Sequence, residues 1–319
     1  MLVDSFHLLQ IFVSNFPAFL SLKTGSTLRS DKFQAVNGYK NLFSYELRVL
    51  SYELFNILRG TNLISAKRNG TSFFQFPNLS RFSDIRHGIF TRKNGYSKTP
   101  YKSLNTSYSN GDDSRNVKLN RSVISKCFDG NELVFARQVH GAKAVVFAKK
   151  SIPLKKRFPD VIPECDAMIT DIKKRSLVIQ VADCQSILMY DPVRQVIANV
   201  HSGWRSSIKN IIGRTISTME KEFDSKPGNI VTGISPSLGP CCAEFVNYKN
   251  EIPEKLWKYK DDSEHFDFWA ISLGQLCDAG VLKKNIYLSE ICTRCNTDLF
   301  FSFRGEGTTG RFAAVIGLK

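Results

Sequence analysis

The feature that most constrains the fold is a series of short, β-branched-rich runs in the second half of the chain. These runs are DAMITD, SLVIQVADC, SILMYD and VIANVHSGW, followed near the end of the chain by FAAVIGL. Apolar runs of this length, bounded by Gly, Asp or Pro, are typical of strands. Further strand candidates precede these runs in HGIFTR, ELVFARQVH and AKAVVFA, so the sequence predicts a sheet built from many short strands.

One strong helical pattern interrupts these strands, in SSIKNIIGRTISTMEKEF. Its apolar residues recur at helical spacing and predict one amphipathic helix over residues 206–223. The residues on the apolar face are Ile208, Ile211, Ile212, Ile216 and Met219. Strands and helices alternate without a strict βαβ rhythm. We therefore expect an α+β (mixed α/β) fold, with one catalytic domain over residues 71–319 built on a mixed β-sheet flanked by helices.

Residues 1–70 differ from the rest and form an N-terminal extension of unknown role. Apolar spacing over residues 45–59 (YELRVLSYELFNILR) predicts an amphipathic helix, which is the one secondary-structure element predicted in this segment. The apolar opening is interrupted by Asp4, His7 and Asn15 and lacks the basic start of a signal peptide. A targeting segment, a partner-binding arm and translated sequence ahead of the true start all remain open.

The net charge of +15 is concentrated in the first half of the chain. Residues 1–157 carry 25 Lys+Arg against 9 Asp+Glu, whereas residues 158–319 carry 19 against 20. Such a basic field attracts phosphate, nucleotides, nucleic acid or anionic membranes, or it serves as a solvated surface. Because no nucleic-acid motif accompanies the charge, nucleic acid is not the expected partner.

Eight cysteines are too few for a disulfide scaffold in 319 residues. No secretory signal and no run long enough to span a membrane are evident. We therefore expect a cytoplasmic protein, either monomeric or homodimeric, with reduced thiols.

Three candidate metal ligands stand at the ends of predicted strands. His140 closes FARQVH, Cys184 closes LVIQVADC and His201 closes VIANVH. Imidazole and thiolate suit zinc, and three protein ligands leave a fourth position for water or substrate. Spacing alone also fits a buried cysteine with two hydrogen-bonded histidines.

Six segments together resemble the YfiH-like family. The segments are RQVHG, ECDAMIT, ADC, HSGWR, SPSLGPCC and FFSFRGEGTTGRFAAVIG, in that order, and HGIFTRKNGYS, SLN, GDD and NR precede them. This family is also called the polyphenol oxidase or laccase-domain family. More recently it has been called the purine nucleoside phosphorylase family. The resemblance covers residues 72–319. The family commonly shows SYRRDG where this chain has SFRGEG, so Gly305 and Glu306 replace an arginine and an aspartate.

The resemblance implies a zinc ion bound by His140, Cys184 and His201. It also implies phosphorolysis of adenosine, inosine and S-methyl-5′-thioadenosine, together with deamination of adenosine. Purine nucleosides and phosphate are then the expected partners. The remaining candidate residues fall into three groups: Arg92, Arg205 and Arg311 for the anion site; Asn105 and Gly239 for substrate binding; and Asp183, beside Cys184, for orienting a ligand or moving protons.

Four alternatives remain open at this stage. Copper can occupy the three-ligand site and support polyphenol oxidation, although five histidines are too few for a multicopper cluster. Cys184 can serve as the nucleophile of a cysteine hydrolase. The basic first half can bind nucleic acid. Cys292 and Cys295 form a CxxC pair, which Cys241 and Cys242 could complete as a four-thiolate metal site or which could act in redox chemistry.

Overall fold

The computed structural model describes residues 63–149 and 164–319. The predicted helix over residues 45–59 lies outside this part of the chain. Within it, twelve strands form the framework. They are β1 (Ile64–Arg68), β2 (Thr71–Gln75), β3 (Ile85–Phe90), β4 (Glu132–Phe135), β5 (Ala144–Phe147), β6 (Ala167–Thr170), β7 (Arg175–Val181), β8 (Gln185–Asp191), β9 (Val196–Ser202), β10 (Val231–Ile234), β11 (Ile286–Leu288) and β12 (Phe312–Leu318).

These strands form two six-stranded sheets, ordered β1-β2-β3-β12-β7-β4 and β11-β10-β8-β9-β6-β5. Pairing is antiparallel except for β4–β7, β5–β6 and β10–β11, which are parallel. The predicted mixed α/β class is confirmed, with the strands shared between two mixed sheets. The first sheet begins before residue 71, since β1 pairs with β2 from Ile64 opposite Gln75.

Seven α-helices lie in the described part of the chain, several of them a single turn. They are α1 (Pro77–Ser80), α2 (Ser114–Cys127), α3 (Trp204–Ile208), α4 (Ile211–Phe223), α5 (Tyr248–Glu251), α6 (Phe268–Asp278) and α7 (Phe303–Glu306). No helix in residues 63–149 and 164–319 has the length and apolar character needed to cross a membrane.

The prediction of one continuous helix over residues 206–223 is wrong at its N-terminal end. The helix is divided into α3 and α4 at Asn210, whose φ of 54° lies in the left-handed region. The Asn210 side chain accepts a hydrogen bond from the Gly213 N–H at 3.1 Å and so caps α4. Because the apolar spacing continues across this break, hydrophobic periodicity does not reveal it.

The main core lies between the two sheets, which pack face to face. Ile179 and Ile316 of the first sheet share this core with Met168 and Leu188 of the second. A polar tie crosses it, because the fully buried Asn199 of β9 donates hydrogen bonds to carbonyl oxygens of β7 and β12 at 3.0 and 2.9 Å. Because these hydrogen bonds satisfy the buried amide group, they fix the position of one sheet relative to the other.

Helices cover the outer face of each sheet. Ile124 of α2 packs on the first sheet, while Ile216 of α4 and Leu276 of α6 pack on the second. The order of layers is therefore helix, sheet, sheet, helix. This arrangement leaves one edge where the end of β7, the start of β8 and the end of β9 meet, and the candidate site lies there.

Candidate metal centre and its cavity

The structure brings His140, Cys184 and His201 together. Their ligand atoms all lie within 4.8 Å of one another. The Cys184 Sγ is 3.7 Å from His140 Nε2, and the two imidazole rings are 4.7 Å apart at an angle of 76°. Two imidazoles and one thiolate at this separation can hold one metal ion between them.

The three ligands reach the cluster by different routes, and the expectation that each closes a strand holds only in part. His201 lies inside β9, opposite Ser186 of β8. Cys184 occupies the short connection from β7 to β8, which crosses from one sheet to the other. His140 lies in the loop between β4 and β5 with a φ of 57°, and Asp183 has a φ of 84°. Left-handed residues of this kind cost about 1–3 kcal/mol each and are common at functional sites.

Asp166 organises the cluster from behind. Its carboxylate is fully buried and lies 2.7 Å from His201 Nδ1. It also accepts hydrogen bonds from the backbone N–H of His140 at 2.9 Å and of Gly141 at 2.6 Å. With Nδ1 engaged, Nε2 is the His201 nitrogen that remains for a metal. One carboxylate therefore orients two of the three ligands.

Sequence reasoning missed both Asp166 and Gly203 as site residues. A Cβ on Gly203 would lie 2.8 Å from His140 Cδ2 and 2.9 Å from Cys184 Sγ, so a side chain here would displace two ligands. A carboxylate directly ahead of the apolar run AMIT was a signal for Asp166, since an unpaired charge is rarely buried. The glycine carried no such signal, because its role depends on the close approach of distant segments.

The electrostatics of the cluster favour a thiolate. Burial raises the pKa of Cys184, but the imidazoles of His201 and His140 outweigh burial and bring this pKa to about 6. Burial lowers the pKa of His201, but the Cys184 thiolate and the Asp166 carboxylate raise it overall to about 9. Without a metal, a thiolate–imidazolium pair therefore persists between pH values of about 6 and 9. Binding of a divalent cation by these ligands would require the imidazole proton to be released.

The donor set fits a single zinc ion with an open coordination position, since zinc accepts sulfur and nitrogen ligands together. A multicopper cluster lacks ligands in the described part of the chain. His87 is buried elsewhere, where its Nε2 accepts a hydrogen bond from the Phe76 N–H at 2.8 Å. His265 is bonded to its own turn at Ser263.

A cavity of about 700 Å³ opens in front of the cluster. This volume is in the range of sites that enclose small-molecule ligands. Its walls combine flat apolar rings with cationic groups, so it suits a ligand that carries both an aromatic ring and an anion. The aromatic residues are Trp204, Phe245, Phe268 and Phe303, and the arginines are Arg137, Arg205, Arg304 and Arg311.

Three of the predicted residues outside the metal cluster line this cavity: Asp183, Arg205 and Arg311. The Arg205 guanidinium lies 4.2 Å from the centre of the Trp204 ring. Burial lowers the pKa of Arg311, whose guanidinium donates to the carbonyl oxygens of Thr309 and Gly310 at 3.0 and 2.9 Å. Both arginines place positive charge at the cavity.

Arg92, Asn105 and Gly239 do not line the cavity. The Arg92 guanidinium is bound to Glu306 at 2.8 Å and to other groups outside the cavity, which leaves it little capacity for substrate. Asn105 is fully buried, and its side-chain oxygen accepts the backbone N–H of Arg311 at 2.8 Å. It therefore supports a cavity residue from behind.

The Asp183 carboxylate connects several segments of the cavity wall by hydrogen bonds. Its Oδ1 accepts hydrogen bonds from Thr293 Oγ1 and Ser302 Oγ, each at 2.7 Å, and its Oδ2 accepts the Arg304 N–H. With both oxygens engaged, the carboxylate ties together segments around residues 293 and 303. Arg304, which sequence reasoning did not select, is placed at the cavity by this contact.

A family model described as multi-copper polyphenol oxidoreductase laccase matches residues 86–319. The chain belongs to this family. It is 31% identical over 251 residues to the purine nucleoside phosphorylase YlmD of Geobacillus stearothermophilus, with 75% of this chain and 92% of that protein covered. A purine nucleoside phosphorylase of Bacteroides thetaiotaomicron is 29% identical over 244 residues, covering 73% of this chain and 90% of its own length.

Solved structures of the laccase-like family share the fold. The hypothetical protein YfiH of Bacillus licheniformis superposes with a TM-score of 0.70 at 26% identity, covering 79% of this chain and 98% of its own. The Geobacillus stearothermophilus YlmD structure gives a TM-score of 0.69 at 28% identity, covering 81% of this chain and 99% of its own. The family relationship thus extends through nearly the whole length of these relatives.

Gly305 and Glu306, which depart from the usual pattern of the laccase-like family, lie off the cavity. The Gly305 N–H donates to Ser302 Oγ at 3.1 Å. Glu306 binds Arg92 and accepts hydrogen bonds from the Ser302 N–H at 3.1 Å and from Thr309 Oγ1 at 2.9 Å. Both act on the loop that carries Arg304.

Proposed function

We propose that the chain is a zinc-dependent purine nucleoside phosphorylase that uses adenosine, inosine and S-methyl-5′-thioadenosine and also deaminates adenosine. The observation that carries this proposal is the His140, Cys184 and His201 cluster at a cavity with both aromatic and cationic walls. The relatives named purine nucleoside phosphorylase support the phosphorylase part of the proposal. Phosphorolysis of a nucleoside calls for both kinds of wall, because the purine is a flat aromatic ring and phosphate is an anion.

The aromatic part of the cavity suits the purine. Phe245 lies edge-on to Trp204, with ring centres 6.0 Å apart, and 5.3 Å from the ring of Phe268. Flat apolar groups of this kind stack on bases and exclude water from them. Stacking tolerates different ring substituents, and it therefore accommodates both adenine and hypoxanthine.

The cationic part suits phosphate. In phosphorolysis the bond between the purine nitrogen and C1′ breaks, a phosphate oxygen bonds to C1′, and the leaving purine takes up the proton that the phosphate gives up. Arg205 and Arg311 lie at the cavity with guanidinium groups that can hold phosphate oxygens by charge-assisted hydrogen bonds. Fixing phosphate against the ribose converts an encounter of two reactants into a reaction within one complex.

His140, Cys184 and His201 would hold the metal, with Asp166 orienting His201 through Nδ1. A zinc ion there would supply the Lewis-acid chemistry that deamination at the purine ring requires. The chain itself contributes the ligand geometry, the thiolate charge and a walled cavity that limits access of bulk water.

Chromatography of products formed from adenosine and inosine, with and without phosphate, tests the proposal. We expect free base only with phosphate, and inosine from adenosine. The Arg205→Gln variant should raise the KM for phosphate by about 10- to 100-fold, because a hydrogen bond to a charged group is worth about 1.5–3 kcal/mol. The KM for nucleoside should change much less.

Arg115→Gln is the matched control, since the Arg115 side chain is 88% exposed and pairs only with the neighbouring Asp113 among the described residues. It should leave both KM values unchanged. Metal-loaded protein that oxidises phenols but turns over neither nucleoside would contradict the proposal and favour the copper oxidoreductase.

A cysteine hydrolase is a second candidate, favoured by the thiolate that His140 and His201 stabilise at Cys184. The pH dependence of iodoacetamide alkylation, followed by peptide mass spectrometry, separates the two. In chelator-treated protein, the alkylation rate at Cys184 should rise with a midpoint near pH 6, because the thiolate predominates above its pKa of about 6. Saturating zinc should suppress alkylation above about pH 6, where the free thiolate would otherwise react. Equal rates with and without zinc would support the hydrolase.

A further inference from the structure

A second group of soft metal ligands lies outside the His140, Cys184 and His201 cluster. It consists of Cys241, Cys242, Cys292 and Cys295, whose four sulfur atoms lie within 4.8 Å of one another. The Cys295 Sγ is 3.6 Å from that of Cys241 and 3.5 Å from that of Cys242. Two chain segments about 50 residues apart thus converge on one point.

The sulfur separations match a tetrahedral metal site. Four thiolates at about 2.3 Å from a zinc ion lie about 3.8 Å from one another. Disulfide bonds would instead join the sulfurs in pairs at about 2.05 Å. All eight cysteines are free thiols in this structure. Four thiolate donors in one place select zinc or an iron–sulfur cluster over harder metals.

The backbone around the thiol group is preorganised. Ser237 and Cys292 form a parallel bridge, with the Ser237 N–H bonded to Ile291 O at 3.1 Å and the Thr293 N–H bonded to Ser237 O at 3.0 Å. A Cβ on Gly239 would lie 3.0 Å from Cys292 Cβ, so this turn approaches Cys292 as closely as a glycine permits.

We propose that Cys241, Cys242, Cys292 and Cys295 bind a second, structural zinc ion. This inference does not depend on which reaction the enzyme performs. The ion would join the segment after β10 to the CxxC turn, and both segments contact the cavity wall. The Cys242 carbonyl accepts a hydrogen bond from Arg304 Nη1 at 3.3 Å, and Thr293 beside Cys292 holds Asp183. The second zinc would therefore stabilise the wall that carries Arg304.

Metal content per chain tests this inference, measured on the full-length protein by elemental analysis and by native mass spectrometry. The wild-type protein should contain two zinc ions. Cys295→Ser should contain one, and Cys184→Ala should also contain one, from the other site. Because Cys295 and Cys241 are exposed, Cys241→Ser serves as a second variant if Cys295→Ser does not fold.

Cys277→Ser is the matched control, since Cys277 is an exposed cysteine in neither cluster, and it should retain two zinc ions. X-ray absorption of the Cys184→Ala protein should show zinc–sulfur distances of about 2.3 Å only. Wild-type protein with a single zinc, all of which is lost in Cys184→Ala, would overturn the inference. So would an intact mass lighter by the hydrogens lost in disulfide formation among these four residues.

Discussion

Replacing Cys184 by alanine is expected to lower metal affinity at the cavity site by more than about 100-fold and to abolish deamination. Loss of an outer partner of a metal ligand already costs about 10- to 100-fold in affinity or activity, and loss of a ligand costs more. Cys184 supplies the single thiolate of the cluster and therefore the charge that binds the cation most strongly. Competition with a fluorescent zinc chelator measures the affinity, and chromatography measures inosine formation from adenosine.

Cys277→Ala is the control for this substitution, because it removes an exposed thiol at the end of α6 and leaves the cavity intact. Its affinity and turnover should equal those of the wild-type protein. Wild-type zinc affinity and deamination in the Cys184→Ala protein would show that the cluster is not the metal site. Phosphorolysis measured in parallel shows whether this second reaction also needs the ion.

Replacing Asp166 by asparagine is expected to reduce zinc affinity and deaminase activity by about 10- to 100-fold, with the fold retained. The amide keeps the size of the carboxylate but removes the charge that raises the pKa of His201. As the pKa of His201 falls, the Cys184 thiolate loses part of its imidazolium partner. The alkylation midpoint of metal-free Cys184 should therefore move upward from its wild-type value near pH 6.

Asp191→Asn is the matched control for a buried carboxylate. Asp191 is as fully buried as Asp166 but ends β8, whereas Cys184 lies just before the start of that strand. A seven-residue strand places it about 20 Å from the cluster. This control should leave zinc affinity and the alkylation midpoint unchanged. An unchanged midpoint in the Asp166→Asn protein would rule out Asp166 as the group that positions and charges His201.

Most strands could be predicted from the sequence because their signal is local. The runs AMIT, SLVIQV and SILMY all correspond to strands of the structure. Their division between two sheets could not be predicted, since β7 and β8 follow each other directly and yet belong to different sheets. The crossing depends on the left-handed φ of Asp183, which apolar periodicity does not report.

The sequence by itself determined which groups this protein can offer: two imidazoles and one thiol as candidate metal ligands, and four further thiols in two separate segments. These follow from residue types and from motif order. Only the tertiary structure decided that Arg205 and Arg311 reach the cavity while Arg92 is bound to Glu306, and that Asp166 holds two ligands. Those outcomes depend on contacts between residues far apart in the chain, which form only when the two sheets pack together.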